Sequence, residues 1–272
     1  MIFDSLGIGE IGVIIVVAIL FIDPKKVGAA GRAFARFRKK WNNIQREVKQ
    51  QFDTISLEED LKDNLGNIRA AKSVLRNEAR VAVKALTSLH RVQAAEKILG
   101  RLKEWPEFQE AKAVAAFCGT LEEVDTESIA KYILASGKTL LLPRIVSQPD
   151  GTSRIAMAVV SNYDQDLLEG AFGILEPKQN SDDTIIPEPD LILVPGLAFD
   201  ERGGRVGRGK GFYDRYLDGK TAFKLGVGFE AQVLRKKLAL EPHDKLLDGL
   251  VTEGRLSSFA APLSQAPGNA AG

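Results

Sequence analysis

A single cysteine, Cys118, and two histidines, His90 and His243, are all that a chain of 272 residues contains of either type. One thiol cannot close an internal disulfide, and so few Cys and His residues exclude a structural zinc site built from a Cys/His cluster. A dominant charge sign is missing as well: 37 Lys and Arg oppose 36 Asp and Glu, for a net charge of +1. The chain as a whole is therefore no polyanion binder, and any basic function has to come from local clusters. No repeats of solenoid spacing are evident. Long apolar runs are scarce too. The longest, "IGVIIVVAILFI" at Ile11–Ile22, falls short of the roughly 20 residues of an ordinary spanning helix. The remaining composition, 44% hydrophobic and 27% charged, is that of a globular protein with one large domain or two smaller ones.

The first fifty residues differ from the rest. Asp4 and Glu10 precede the apolar run, whereas Lys25, Lys26, Arg32, Arg36, Arg38, Lys39 and Lys40 follow it. A cleaved signal carries its positive charge before the apolar core. The reverse asymmetry suits an uncleaved anchor with its N-terminus outside and its body in the cytoplasm. A buried core strand is the other reading of the same residues. Pro24 cannot continue a helix smoothly, which makes Asp23-Pro24 a hinge. Beyond it Val27, Ala30, Phe34, Phe37, Trp41, Ile44 and Val48 recur at steps of three and four, forming an apolar stripe with basic residues on the other faces. Such a helix suits the interface of an anionic membrane, or equally packing against a globular domain or a partner helix. The layout of residues 1–55 resembles the TatA/TatB family, the small membrane subunits of the twin-arginine protein translocase. The early Glu10 is more like the B-type subunit, and Asp23 stands where that family has Gly. The resemblance implies a single-pass inner-membrane protein held through residues 1–50, its catalytic domain in the cytoplasm and other translocase subunits as partners.

Residues 56–68 lie in an acidic, polar stretch, "TISLEEDLKDNLGN", which reads as a continuing helix or a tether. From residue 69 to 256 helical and strand patterns alternate. Arg69–Leu86, Gln93–Leu102 and Glu127–Ala135 read as helices. "AVAAF", "TLLLP", "IAMAVV", "LILVPG" and "KLGVGF" read as short buried strands. That alternation predicts an α/β fold with a mainly parallel sheet covered on both faces. Residues 257–272, rich in Ala, Pro, Ser and Gly, read as a disordered tail.

The most distinctive segment is "GRVGRGKGFYDRY", Gly204–Tyr216. It approaches the Walker A pattern, but Gly211 stands where a Ser or Thr would hold magnesium. Its glycines allow backbone N–H groups to approach phosphate oxygens, Arg205, Arg208 and Lys210 add cations, and the helix start at "FYDRYL" favours an anion. Asp214 can replace the missing hydroxyl as a magnesium ligand. A flexible basic turn and an RNA backbone contact are alternative readings. Nucleic acid is not expected as a partner, because aromatic interleaving is limited to Phe212, Tyr213 and Tyr216. Elsewhere, Lys72 and Arg76 are four apart on one helix face, suited to a shared phosphate chain or to a solvated basic surface. "EEVDT", Glu122–Thr126, reads as the place of a ligand-binding carboxylate or, through Thr126 and Glu127, as the N-cap and acidic first turn of the next helix. "HDKLLD" offers Asp244 and Asp248 beside His243, or a structural His-Asp pair.

Taken in order, "KSVLRNEAR", "WPEFQEAKAVAAF", "EEVDT", "LLLPR", "GILEP", "LILVPGLAFDERGGRVGRGKGFYDRYL" and "EPHDKLLDGLVTE" resemble the 5-formyltetrahydrofolate cyclo-ligase family over residues 69–255. The resemblance implies a three-layer α/β fold of the ribose-5-phosphate isomerase/CoA-transferase type. It implies ATP- and Mg2+-dependent conversion of 5-formyltetrahydrofolate to 5,10-methenyltetrahydrofolate, with release of ADP and phosphate. Mapped onto this chain, Lys72, Arg76 and the loop Arg205, Val206, Gly207, Arg208, Gly209, Lys210, Gly211, Phe212 and Tyr213 bind ATP. Arg208 and Lys210 stabilise the transferred phosphoryl group, and Asp214 and Asp244 hold magnesium. Glu123 binds the pterin beside Cys118, with Arg208 to Phe212 as another wall. Phe212 stands where that family commonly has Tyr. The alternative is a translocase component carrying an inactive or regulatory domain of this type.

Overall fold

Short aliphatic runs bounded by Gly, Pro and Asp become the strands of the molecule, seen in a computed structural model that describes residues 63–170, 173–178 and 185–259, with positions 43 and 46. The expected membrane anchor and hinge, nearly all of the amphipathic helix, and the tail from residue 260 lie outside the described residues. The chain divides into two compact units, Met1–Asn64 and Leu65–Gly272. Among the described residues no helix is long and apolar enough to cross a membrane.

Five helices are described: α1 (residues 63–84), α2 (Ser88–Glu104), α3 (Pro106–Glu110), α4 (Glu127–Ala135) and α5 (Phe212–Leu217). The described part of the acidic stretch, from residue 63, is thus the start of α1. Helix α2 begins at Ser88, five positions before the sequence expectation of Gln93. Thr87 supplies the reason: its Oγ1 accepts from His90 N at 3.1 Å, capping a first turn whose Leu89 and Val92 are exposed and so carry no core periodicity. Pro106 then opens α3, where its missing N–H costs nothing.

In chain order the strands are β1 (Ala113–Ala115), β2 (Thr139–Ser147), β3 (Ser153–Val160), β4 (Leu167–Glu169), β5 (Leu175–Pro177) and β6 (Leu191–Val194). They continue with β7 (Ala198–Asp200), β8 (Arg205–Val206), β9 (Phe223–Val227), β10 (Val233–Leu234), β11 (Gly249–Val251) and β12 (Leu256–Ser258). Seven of them form one sheet in the order β12-β11-β9-β6-β1-β2-β3. The five central strands are parallel, and β3 and β12 pair antiparallel at the edges. Both faces are covered. Leu140, Leu142, Leu191 and Leu193 pack with Ile98 and Leu102 of α2, Phe108 of α3 and Ile129 and Ile133 of α4. The intervening Leu141, Ile192 and Val194 pack with Phe199 and with Leu217 of α5. This period-two division of unbroken apolar runs is what a sheet buried on both sides requires.

The departures from the expected pattern are local. "IAMAVV" does not return by a helical crossover. The turn after β2 is too short for one, so β3 folds back as a hairpin. "LILVPGLAFD" breaks at Pro195-Gly196, so that β6 belongs to the large sheet and β7 to a small sheet ordered β10-β7-β8. Ser257 and Ser258, expected in the disordered tail, pair with Leu250 and Gly249 as β12.

Candidate active site

The parallel strands β1, β2 and β6 end on one cavity of about 930 Å³, where ligands of open α/β sheets bind. Phe117 and Cys118 follow β1, Pro143 and Arg144 lie on β2, and Pro195 and Gly196 follow β6. Helix α1 contributes Lys72, Arg76 and Arg80, and the glycine loop closes a further wall. Every residue to which the family resemblance assigns a role lines this cavity, from Lys72 to Asp244.

Folding of the loop is set by a buried carboxylate. Asp200 Oδ1 accepts from Arg202 N at 2.9 Å and Gly204 N at 2.8 Å, and its Oδ2 accepts from Leu238 N at 2.8 Å. Gly203 (φ +88°) passes so near Leu247 that a Cβ would lie 2.3 Å from its carbonyl oxygen. Gly211 (φ +64°) precedes α5 in the left-handed region. A Ser or Thr there would be strained, which is why the Walker A hydroxyl is absent. The reason is the dihedral rather than close backbone approach, since a Cβ would meet only the flexible end of Arg215. Helix α5 has six residues, too few to carry much of the anion affinity expected of its N-terminus.

At the polar end, Lys72 and Arg76 do share a face but take different partners. The Lys72 ammonium is buried and donates to Glu241 Oε2 at 3.1 Å and to Asp244 Oδ2. Arg76 Nε donates to Gly207 O at 2.9 Å, tying α1 to the loop. Arg205 is buried, and its Nη2 donates to Asp214 Oδ1 at 2.7 Å while Nε has no hydrogen-bond partner. Burial holds the Arg205 guanidinium below its ordinary pKa, against the opposing pull of Asp214 and Asp244. Burial alone would raise the Glu241 carboxyl, but the bonds from Arg69 and Lys72 bring it below the ordinary carboxylate value. Arg208 crosses the cavity: Nε lies 3.4 Å from Glu123 Oε1 and Nη1 3.3 Å from Glu122 Oε2, and Nη2 donates to Thr120 Oγ1. Glu123 is held in turn by Thr120 N at 3.1 Å and Thr120 Oγ1 at 2.9 Å. Lys210 is exposed at the cavity rim, with no side-chain partner among the described residues.

The nearby "EEVDT" turn is not capped by Thr126. Its hydroxyl donates to Phe117 O, and Asp125 Oδ1 accepts from Glu127 N at 3.0 Å instead. Asp248, the second carboxylate of "HDKLLD", accepts from Lys224 N at 2.8 Å and is not part of the cavity wall. Glu241 was not anticipated. The sequence marks it only as an acidic residue in a loop, whereas the structure pairs it with Lys72 and groups it with His243 and Asp244, their ligating atoms within 4.8 Å. Asp214 is not part of that group.

The carboxylates fit a hard divalent cation. Asp214 Oδ1 is occupied by Arg205 and by Lys245 N at 3.3 Å, and Asp244 Oδ2 by Lys72 and by Glu241 N at 2.6 Å. Among the described residues the second oxygen of each has no protein partner, leaving an oriented hard ligand of the kind magnesium takes.

Cys118 lines the cavity and bonds with Tyr163. Burial pushes its thiol up from 9.0 to about 11, only partly offset by the bond with Tyr163. The thiol is therefore protonated at neutral pH and suits a wall position, not a nucleophile's. A group with a raised folded pKa stabilises fully below its unfolded value and loses that contribution as pH rises through the folded one. Stability is expected to fall by about 2–3 kcal/mol between pH 9 and 11 through this thiol. Melting curves across that range should show a smaller decline for Cys118→Ala.

Anchored cations, oriented carboxylates and a glycine loop at the ends of parallel strands define a protein that handles phosphorylated small molecules. Comparison with known proteins gives the particular family. The chain belongs to the 5-formyltetrahydrofolate cyclo-ligase family, whose model matches residues 68–253. It is 32% identical over 216 residues to the mitochondrial 5-formyltetrahydrofolate cyclo-ligase of Arabidopsis thaliana, covering 70% of this chain and 76% of that one. Against the 5-formyltetrahydrofolate cyclo-ligase of Escherichia coli K12 it is 29% identical over 179 residues, covering 64% and 95%. Among solved structures, the 5,10-methenyltetrahydrofolate synthetase of Aquifex aeolicus superposes with a TM-score of 0.61 at 36% identity, covering 70% of this chain and 93% of that one.

Proposed function

We infer that the chain is a 5-formyltetrahydrofolate cyclo-ligase, forming 5,10-methenyltetrahydrofolate, ADP and phosphate from 5-formyltetrahydrofolate and ATP. The observation that carries this is the single cavity. It unites α1, the turn after β1, the glycine loop and the segment around Asp244, and at about 930 Å³ its volume suits two substrates side by side. Family membership and the Aquifex aeolicus neighbour support the reaction, and the mainly parallel sheet covered on both faces is consistent with the ribose-5-phosphate isomerase/CoA-transferase type of fold that the resemblance implies.

The chemistry needs positioning and charge more than covalent help. A formamide oxygen is a poor leaving group. Its attack on the γ-phosphorus releases ADP and leaves the formyl oxygen phosphorylated; N10 then attacks the formyl carbon, loses its proton and closes the ring as the C–O bond breaks and phosphate leaves. Lys72, Arg76 and the loop backbone from Arg205 to Tyr213 hold the phosphate chain. Arg208 and Lys210 neutralise charge on the phosphoryl group in flight. Glu123, fixed by Thr120, accepts from the pterin, with Cys118 and Phe212 as walls. Asp214 and Asp244 would hold magnesium, which supplies charge neutralisation to the ATP phosphates.

Full-length protein mixed with ATP, magnesium and 5-formyltetrahydrofolate should form the methenyl product with stoichiometric ADP; absence of turnover defeats the reading. Asp214→Asn should lower kcat about 10²- to 10³-fold while keeping an acceptor for Arg205. Asp214→Ala is the poorer test, because it strips the buried Arg205 guanidinium of its partner and costs several kcal/mol of stability. Undiminished turnover by Asp214→Asn would remove Asp214 from the metal site.

For residues 1–55 we propose an inner-membrane tether of the TatA/TatB type, with the enzyme on the cytoplasmic side. The support is the short apolar run, the basic residues after it and the apolar stripe from Val27 to Val48. Cyclo-ligase activity in carbonate-washed membranes supports the tether, and activity confined to the soluble fraction defeats it. Complementation of a strain lacking its B-type translocase subunit would show that the segment also works in transport.

A further inference from the structure

The cavity's cations are not equivalent. Apart from Lys210, exposed at the rim, those of the phosphate end are engaged, Lys72 by Glu241 and Asp244, Arg76 by Gly207, Arg205 by Asp214 and Arg208 by Glu122 and Glu123. Arg144 of β2 is different. It is half-buried in the cavity wall and has neither a hydrogen bond nor an ion pair among the described residues. The same stretch of cavity wall is lined by Pro143, Ile145, Ile155, Ile174 and Leu175, with Glu176 as its one carboxylate. Glu176, the carboxylate on adjacent β5, accepts from Ile145 N at 2.9 Å. A half-buried guanidinium in an apolar wall forfeits hydration that its own chain does not replace, which is a cost with no structural return.

We propose that Arg144 is a specificity-determining residue that binds the glutamate carboxylate of the folate tail. This rests on the reading of the cavity as a 5-formyltetrahydrofolate site. The substrate has its reacting formyl group at the pterin end, and its p-aminobenzoyl ring and glutamate lie well away from it. The reacting end belongs with Glu123 and Arg208. The tail then runs along the apolar wall, where the exposed Leu175 and the half-buried Ile174 and Ile145 take the benzoyl ring and Arg144 takes a carboxylate by a charge-assisted, two-pronged contact.

The test compares 5-formyltetrahydrofolate with 5-formyltetrahydropteroate, which has the same rings and no glutamate. Wild-type protein should prefer the glutamate-bearing substrate by about 10- to 100-fold in KM. In Arg144→Leu that preference should collapse towards one, with Arg144→Lys retaining part of it and the KM for ATP showing no matching rise. The Arg144 side chain has no polar partner among the described residues and its backbone pairing opposite Ala156 is kept in each variant, so the variants' melting temperatures should match that of wild type. A preference that survives in Arg144→Leu overturns the proposal, as does equal damage on both substrates or a defect confined to ATP. Calorimetric titration of the two folates keeps this question apart from the function. No turnover by wild-type protein defeats the cyclo-ligase reading, whereas an affinity gap that persists in Arg144→Leu defeats the role of Arg144.

Discussion

Lys72→Met is expected to lower stability by about 3–5 kcal/mol at neutral pH, a loss of roughly 10 °C in melting temperature. The buried ammonium sits between two carboxylates, Glu241 at 3.1 Å and Asp244. Methionine keeps the volume and removes the charge. Glu241 retains Arg69 at 2.8 Å, but that side chain is 68% exposed and compensates little. Asp244 loses its side-chain cation. The pH dependence identifies the cause. Glu241 is held below its ordinary value of 4.5. A depressed carboxylate contributes stability that is present above its unfolded pKa and lost as pH falls through the folded one. Without Lys72 the Glu241 carboxyl titrates higher, and its protonation in acid relieves the repulsion with Asp244. The gap between wild type and variant should therefore be full above about pH 5 and narrow as pH falls below 4.5. Equal melting temperatures at neutral pH, or a gap that widens in acid, would contradict this account.

The charged pairs around Lys72 show how far the residues alone can be read. The four-residue spacing of Lys72 and Arg76 is visible as one helix face, and the glycine loop announces a close-packed anion cradle. The apolar runs give the parallel core because a strand buried on both faces leaves an unbroken signature. Glu241 leaves none, being one acidic residue in a turn between short elements, and its role exists only because the fold brings α1 against it. The small sheet of β7, β8 and β10 is similarly hidden, its strands being two or three residues long, below any periodicity. Asp200 illustrates the same limit. It reads as the last residue of the strand that precedes the glycine loop, yet its carboxylate's three bonds to backbone N–H groups fix the start of that loop. Arg144, at the apolar end, is indistinguishable by pattern from any polar residue near the end of an edge-side strand. Short-range spacing is legible in sequence; carboxylates recruited from distant loops are not.

Arg208→Ala is expected to lower kcat by about 10³-fold, the order associated with a guanidinium that stabilises a phosphoryl group in flight. Two roles compete for this residue. Its guanidinium contacts Glu123, Glu122 and Thr120 across the cavity, so it also braces the carboxylate assigned to the pterin. The kinetics separate them. If Arg208 acts on the phosphoryl charge, kcat collapses while the KM for folate changes little, because the interaction is made in the transition state. If it mainly braces Glu123, then Glu123→Gln reproduces the defect, and the folate KM rises in both variants. Glu123 also accepts from Thr120 N at 3.1 Å, a backbone contact that does not involve Arg208, and from Thr120 Oγ1 at 2.9 Å, so losing Arg208 leaves its carboxylate in place. Because the two side chains touch and share Thr120, the double variant Arg208→Ala/Glu123→Gln should show a modest coupling in kcat/KM, with the kcat loss still following Arg208 and the folate KM following Glu123. Strong non-additivity would make the pair a single positioning unit and transfer the phosphoryl charge to Lys210, whose ammonium is the other loop cation at the rim. Arg208→Lys sharpens the choice. A point charge restores part of the electrostatic effect but not the fork that spans Glu122, Glu123 and Thr120, so partial rescue of kcat favours the phosphoryl role.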